Sequence, residues 1–265
     1  YAFKDCKNLN KIIFLGSELT EIKKFAFTGC PIVSFRFPPK ITKIENGAFY
    51  RCSNLESVEF SSDSLQMIDK YAFSMTSIKN IKIPSSVLEI RERAFYKCQK
   101  LISIQFDSDS KLRLFSNKAL QYSSIKSLTI PFGLEVFQKD WCKNTPNLTN
   151  IQLTNSFKNC SKNEAVLFND NKLFFVERNN NNDVNIPLYI KEISDSAFAN
   201  CSQISNVNFE SISKLVRICS YSFNNSSITS ICIPKSVVEI DKKAFYECKQ
   251  LKYVQFDKEL NQESE

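Results

Sequence analysis

A thirteen-residue cassette, Ala-Phe-x-x-Cys-x-x-Leu-x-x-Ile-x-Phe, recurs along almost the whole chain. Clear copies span residues 2–14, 48–60, 94–106 and 244–256. The apolar residue that opens the last part of the cassette returns every 23 or 24 residues, except for one interval of 33 between Ile151 and Val184. A fixed period in the twenties is typical of a solenoid, in which stacked coils share a continuous core. The sequence therefore predicts an extended binding surface rather than a catalytic pocket.

The Ile/Val-x-Phe/Ile segment is predicted to form one strand in each coil, because its apolar residues alternate with polar ones. The predicted strands open at Ile12, Phe35, Val58, Ile81, Ile104, Leu128, Ile151, Val184, Val207, Ile231 and Val254. In alternate coils the strand is followed by proline, which lacks an N–H group and should end strand pairing there. These prolines are Pro38, Pro84, Pro131, Pro187 and Pro234. The repeating unit is thus a pair of coils, about 46 residues long.

The Ala-Phe elements are predicted to be short helical or 3₁₀ turns whose phenylalanines stack in the core. The expected ladder comprises Phe3, Phe27, Phe49, Phe73, Phe95, Phe198, Phe223 and Phe245. Leu120 and Cys142 take that position in two degenerate coils, where Trp141 replaces the alanine. We therefore expect an α/β repeat solenoid: a right-handed coil with one long sheet and short helical turns.

Residues 154–183 interrupt the repeat. Residues 165–168 and 173–176 are apolar and flank a polar turn, which predicts a β-hairpin insert at about 160–178. The hairpin is expected to replace the Ala-Phe element of its coil, and the Asn-rich residues 179–183 to form a loop. Because the chain begins and ends inside coils, we expect residues 1–265 to be a single solenoid cut from a longer array. Its exposed end strands favour self-association.

Composition argues against catalysis. The chain has no histidine, which excludes Ser-His-Asp and Cys-His nucleophile pairs and histidine-containing metal sites. It has no Gly-rich phosphate loop and no Cys-x-x-Cys, so we expect no enzyme activity, cofactor or metal. The net charge of +7 is spread along the chain, and the phenylalanines fall at core positions, which does not favour nucleic-acid binding. No apolar run is long enough to span a membrane.

Most of the ten cysteines follow the repeat. Cys6, Cys30, Cys52, Cys98, Cys201 and Cys248 share one position, which favours a buried ladder of thiols over a metal site. A disulfide between Cys30 and Cys52, in adjacent coils, is the alternative. Cys232 instead falls on the outward side of its strand and is expected to be exposed.

The outward residues of the strands define the predicted binding surface, on the concave side of the solenoid. Most are small and polar, but charges are concentrated toward the N-terminal end. The candidate protein-binding residues are Lys11, Arg36, Glu59, Lys82 and Gln105. The alternative is a solvated sheet face. Carbohydrate binding is not favoured, because these rows hold few aromatic side chains.

The repeats resemble the BspA-like branch of the leucine-rich-repeat proteins, whose pattern is Ala-Phe-x-x-Cys-x-x-Leu-x-x-Ile-x-Ile-Pro-x-x-Val-x-x-Ile. Residues 83–101 and 233–248 match it closely. The resemblance implies a surface antigen of a bacterium or, given the many Asn and Lys residues, a protist. Its implied role is cell adhesion through a host matrix or cell-surface protein, at the cell surface or secreted. An intracellular (cytoplasmic) scaffold and a structural spacer presenting another domain are the alternatives.

Overall fold

A computed structural model of the protein describes residues 1–16, 18–61, 63–131, 134, 136–137, 141–142, 144–153, 161–163, 166–169, 171–177 and 183–257. The chain divides into two compact units, residues 1–158 and residues 159–265, which are described separately.

The described residues contain long strands of three to five residues and short strands of two, in alternation along most of the chain. In order they are β1 (Glu21–Ile22), β2 (Ser34–Phe37), β3 (Lys43–Ile44), β4 (Ser57–Phe60), β5 (Met67–Ile68), β6 (Asn80–Ile83), β7 (Glu89–Ile90), β8 (Ser103–Phe106), β9 (Leu114–Phe115), β10 (Ser127–Ile130), β11 (Val136–Phe137), β12 (Asn150–Leu153), β13 (Ser161–Asn163), β14 (Val166–Asn169), β15 (Lys172–Val176), β16 (Val184–Ile186), β17 (Glu192–Ile193), β18 (Val207–Phe209), β19 (Arg217–Ile218), β20 (Ser230–Ile233), β21 (Glu239–Ile240) and β22 (Tyr253–Phe256). Except in the segment at Ile12, which forms no strand, the predicted strand positions are confirmed.

The first unit is a parallel β-solenoid with strands on two of its faces. The short strands form one sheet, in the order β1-β3-β5-β7-β9-β11. The long strands form a β2-β4 pair and a separate sheet in the order β12-β10-β8-β6. The prediction of one long sheet is therefore wrong in two respects: the short strands add a second sheet, and the long-strand sheet is interrupted.

The interruption lies where a proline coil follows a coil without proline. After β22, the N–H of Asp257 donates to the carbonyl oxygen of Ile233 at 2.9 Å. Pro234 holds the equivalent position one coil earlier and has no N–H to donate. β8 and β10 accordingly pair only through their first two residues, whereas the preceding pair, β6 and β8, is aligned over all four. Strand pairing thus follows the predicted pairs of coils, and the predicted effect of proline is confirmed.

The Ala-Phe elements are turns, and the structure assigns no helix to any described residue, so the predicted helical turns and the α/β class are wrong. The reason is the direction of the backbone hydrogen bonds. In the turn at Ala94, the N–H groups of Phe95 and Lys97 donate to the next coil, at Ala119 O and Gln121 O, both at 2.9 Å. The N–H groups between and after them donate within the turn instead. A segment that sends alternate donors to its neighbour cannot form a continuous helix.

Most of the described turns carry two residues in the left-handed backbone region, one before the alanine and one three residues after it. Around Ala94 these are Arg93 and Lys97, both at φ 56°. Tyr71 and Met75 take the same positions one coil earlier, at φ 54° and 60°. Bulky residues rarely adopt this conformation. The hydrogen bonds to the next coil stabilise it here, so these positions are held by the stack rather than by local preference.

We expect substitutions of Lys118 to show the energetic cost of this left-handed backbone conformation. Lys118 is half-buried and has φ 56°, whereas the exposed Lys100 is not among the left-handed residues. Lys118→Val should be less stable than Lys118→Gly by about 1 kcal/mol, because a β-branched residue in the left-handed region is disfavoured. At Lys100 the order should reverse: Lys100→Gly should be less stable than Lys100→Val, because glycine there only increases the conformational entropy of the unfolded chain. Urea unfolding of the four variants measures both differences; the same order at both sites would contradict the backbone assignment.

The stacked phenylalanines form the core of each unit, as predicted, except that Phe3 is exposed and Phe245 is half-buried. Phe49, Phe73 and Phe95 are fully buried, with ring centroids 5.4 Å and 5.6 Å apart along the stack and interplanar angles of 8° and 9°. In the second unit, Phe198 and Phe223 stack at 4.5 Å. Leu120 and Cys142 are buried at the same position in their coils.

The predicted ladder of buried thiols is confirmed at Cys30, Cys52, Cys98 and Cys201, whereas Cys248 is half-buried and the prediction is wrong for Cys6, which is exposed.

The cysteine of the cassette is a hydrogen-bond donor to the preceding coil. Cys52 Sγ lies 3.0 Å from Phe27 O, and Cys98 Sγ lies 3.0 Å from Phe73 O. In the intervening coil, Thr76 takes the cysteine's place. Its hydroxyl donates within its own turn, to Phe73 O at 2.9 Å, the same carbonyl oxygen that Cys98 contacts. The position therefore selects a small donor, thiol or hydroxyl. Cys30 and Cys52 are free thiols in the structure, so the alternative of a disulfide between them finds no support there.

The second unit begins with the predicted hairpin. β14 and β15 pair antiparallel, which confirms it, and β13 adds a further antiparallel strand. β15 then pairs parallel with β17 and so opens the short-strand sheet β15-β17-β19-β21. The N–H of Val176 donates to Ala197 O at 3.0 Å, as the stacked phenylalanines do in other coils. β15 thus occupies the positions that a short strand and an Ala-Phe turn occupy in the other coils. Most of the predicted 179–183 loop lies outside the described residues.

Candidate functional site

The candidate site is the exposed face of the long strands, called here the long-strand face. Alternation along each strand buries the apolar residues and exposes those between them: in β2, Phe35 and Phe37 are buried and Arg36 is exposed. Lys11, Arg36, Glu59, Lys82 and Gln105 are all exposed. Four of the five lie on long strands, whereas Lys11 lies in the strandless segment before β1 and joins this surface by lining a cleft with Arg36.

Strand register brings four of the five together in pairs. Arg36 and Glu59 are direct partners across β2 and β4, and Arg36 Nη2 lies 2.8 Å from Glu59 Oε1. Lys82 and Gln105 are direct partners across β6 and β8. Lys82 Nζ binds Asp107 Oδ1 at 2.9 Å instead, a contact that the sequence did not predict. Hydrogen bonding to Asp107, and its charge, raise the pKa of the Lys82 ammonium.

Two clefts open on this face, each where a proline coil follows a coil without proline. The first has a volume of about 370 Å³ and lies between Phe14 and Pro38, beside Lys11 and Arg36. The second, of about 320 Å³, lies between Phe60 and Pro84. Phe60 follows Phe14 by one 46-residue unit, so the clefts are repeats of one feature. The missing proline N–H that interrupts the sheet also explains why they occur there.

The second cleft is lined by charges of both signs. Glu59, Asp63 and Asp107 supply carboxylates and Lys82 an ammonium, while Gln105 lines neither cleft. Neither cleft is predicted from the sequence, because the separation between neighbouring strands depends on how they pair in three dimensions. The proline two residues after Arg36 and Lys82 was the signal that could have located them.

The described part of the chain contains no cluster of three or more cysteine or acidic side chains suited to a metal ion. Its helix-free fold likewise offers no apolar helix long enough to cross a membrane. The long-strand face thus presents shallow clefts, exposed charges and small polar groups.

Parallel coils of 23 or 24 residues, with a strand on one face and a recurring Ala-Phe turn on another, define a leucine-rich-repeat type of β-solenoid. The model of the BspA type leucine-rich repeat region matches residues 1–102, 62–173 and 169–265. The chain therefore belongs to the BspA-type leucine-rich repeat family, and the resemblance noted in the sequence is confirmed.

Solved structures share this fold. The pneumococcal vaccine antigen PcpA has a TM-score of 0.77 at 20% identity, over 92% of this chain and 69% of the antigen. A leucine-rich cell surface protein of Faecalibacterium prausnitzii has a TM-score of 0.59 at 16% identity, over 91% of this chain and 83% of its own. A leucine-rich repeat protein of Eubacterium ventriosum has a TM-score of 0.65 at 20% identity, over 86% of this chain and 61% of its own. Comparison with curated proteins gave no significant match.

Proposed function

We propose that the protein is a non-catalytic recognition module that binds a protein of a host matrix or host cell surface through the long-strand face of residues 11–107. The observation that carries this proposal is the row of exposed, oppositely charged side chains beside two repeated clefts. In this proposal the biological role of the protein is adhesion, and the protein is located at the cell surface or is secreted.

The charges on this face can change partners at little cost. Arg36 and Glu59 are 73% and 63% exposed, and ion pairs this accessible contribute only about 0–1 kcal/mol to stability. Lys82 is similarly open beside Asp107. An approaching protein with complementary charges can therefore re-pair these groups without destabilising the solenoid. The rigid strands beneath them limit the entropy lost on binding.

Family and neighbours support the same function. Leucine-rich-repeat solenoids use extended surfaces for binding. Among the structures with this fold, one is named as a vaccine antigen and another as a cell surface protein. These names describe those proteins; here they favour a surface location over a cytoplasmic scaffold.

The double variant Arg36→Glu, Lys82→Glu should lose binding to its protein ligand. Biolayer interferometry against purified fibronectin and laminin should give saturable binding by the native protein. Reversing both charges should weaken it about ten-fold or more at low salt, because unfavourable pairs replace favourable ones. Added salt should narrow the difference, since exposed charges are screened.

Lys111→Glu, Arg113→Glu is the matched control, because it changes the net charge equally at exposed positions away from both clefts. Equal losses in the two double variants would show that overall charge, not the long-strand face, determines binding. If the Arg36→Glu, Lys82→Glu variant still binds, the binding site lies outside the long-strand face. If neither purified protein nor intact epithelial cells bind, the adhesion proposal is wrong and a spacer or scaffold role is favoured.

A further inference from the structure

The Ala-Phe turns carry a surface ladder of alternating tyrosines and cations. Arg93 lies over the rings of Tyr71 and Tyr96, with its Cζ 5.5 Å and 5.9 Å from their centroids. Lys97 lies over Tyr96 and Tyr122, with its Nζ at 5.4 Å and 5.9 Å. Five side chains from three successive coils thus form one chain of cation–π contacts.

The ladder continues into the preceding coil. The ring of Tyr50 packs edge-to-face on Tyr71 at 6.3 Å, and Arg51 lies 5.3 Å from the Tyr50 centroid. At the stacking distance of adjacent strands, these four coils cover about 15 Å. The same arrangement recurs in the second unit, where Lys243 lies 5.6 Å and 5.2 Å from the centroids of Tyr221 and Tyr246.

The backbone holds these side chains outward. Arg51, Tyr71, Arg93, Lys97 and Tyr122 all have left-handed φ values between 54° and 61°. The N–H groups of Arg51 and Lys97 donate to the next coil, at 3.0 Å and 2.9 Å. The cations are therefore fixed in a row by the backbone ladder below them and by the rings beside them, before any ligand arrives.

The electrostatic balance of this surface favours an anionic ligand. Neither Arg51 nor Lys97 forms an ion pair with any carboxylate that the structure describes. Arg93 donates to the Tyr71 hydroxyl at 2.6 Å and to Glu92 at 2.8 Å. Glu92 is also paired with Lys70, and it is the less exposed of the two, at 28% against 52%. Arg93 and Glu92 are equally exposed, at 28% each. Glu92 therefore has two cationic partners, whereas Arg51 and Lys97 form no described ion pair, and the ladder keeps an excess of positive charge.

We propose that this ladder is a binding site for a linear sulfated polysaccharide. Its members are Tyr50, Arg51, Tyr71, Arg93, Tyr96, Lys97 and Tyr122. A row of fixed guanidinium and ammonium groups is complementary to a flexible chain that carries regularly spaced sulfates. Single-stranded nucleic acid fits less well, because bases stack on open aromatic faces, and here cations cover them. The ladder is one side chain wide, so it matches a chain better than the planar surface of a lipid bilayer. This site is separate from the long-strand face.

The test is binding of a fluorescent heparin-derived dodecasaccharide to the whole chain at about 0.15 M salt. The variant Arg51→Gln, Arg93→Gln, Lys97→Gln should lower the affinity about ten-fold or more and flatten its salt dependence, because three cations no longer displace counterions. The control Lys111→Gln, Arg113→Gln, Lys126→Gln removes the same charge at exposed positions outside the ladder and should change the affinity little. Thermal unfolding of both variants shows whether the fold is retained.

Desulfated heparin and a single-stranded oligonucleotide of equal length complete the experiment. Desulfated heparin should not bind. The proposal is overturned if the native chain fails to bind heparin, if both triple variants lose affinity equally, or if the oligonucleotide binds as tightly. Should the ladder variant unfold, Lys97→Gln alone serves the same purpose, because its ammonium makes no described ion pair. It should weaken heparin binding while leaving fibronectin and laminin binding unchanged.

Discussion

Phe95→Ala should destabilise the first unit by about 3–5 kcal/mol, which is a large part of the total stability of an ordinary domain. Phe95 is fully buried and stacks on Phe73 at 5.6 Å. Truncating it leaves a cavity that the neighbouring coils cannot fill without breaking their own hydrogen-bond ladder. Because each coil contacts only its neighbours, the damage should uncouple the coils on either side. Urea unfolding, followed by the single tryptophan at Trp141 in this unit, measures the effect.

Phe3 provides a control of the same residue type at the same repeat position. Its side chain is 47% exposed at the first turn of the stack, although it stacks on Phe27 at 5.3 Å. Phe3→Ala should therefore cost no more than about 1 kcal/mol. Phe95→Leu should be intermediate, because Leu120 fills the same position in another coil. Equal costs for Phe3→Ala and Phe95→Ala would contradict a buried ladder.

The apolar half of this fold could be predicted from the sequence because every coil repeats the same information. The phenylalanine ladder and the strand positions follow from a side chain that returns at a fixed interval. The proline that ends pairing at Pro84 or Pro234 has a direct chemical meaning, the missing N–H group. The apolar pattern of a single coil is a weak indication of structure, but its recurrence along the chain makes the fold predictable.

The short strands and the turns were missed because their cause is not local. Glu89–Ile90 has only two residues, too few for an alternation pattern, and it becomes a strand through its neighbours Met67–Ile68 and Leu114–Phe115. Arg93 and Lys97 are good helix formers on intrinsic preference. Inter-coil hydrogen bonds override that preference, and they also bring Arg93 beside Tyr71, a pairing that no spacing rule along one element reveals. The same holds for the clefts of the long-strand face.

Buried thiols of the cassette should resist alkylation in the native protein by orders of magnitude. Burial raises the pKa of Cys52 to about 12 and that of Cys98 to about 11, from a usual value of 9.0. At pH 8 the thiolate fraction of Cys52 is then about a thousand times lower than that of an unperturbed thiol, and the thiolate is the reactive species. Cys219 is buried beside Glu192 and has its pKa raised to about 12 as well.

Iodoacetamide labelling at pH 8, followed by peptide mass spectrometry, tests this. Cys6 and Cys232, which are exposed, should react first, while Cys52, Cys98 and Cys219 should react only as the coils open. Cys232→Ser should remove one early label, and guanidinium should make all the cysteines react. The prediction links labelling to the core: in Phe95→Ala, Cys98 should become reactive well before Cys219 of the other unit, because it lies three residues from the new cavity. Labelling of Cys98 as fast as Cys232 in the native protein would mean that Cys98 is not buried in solution.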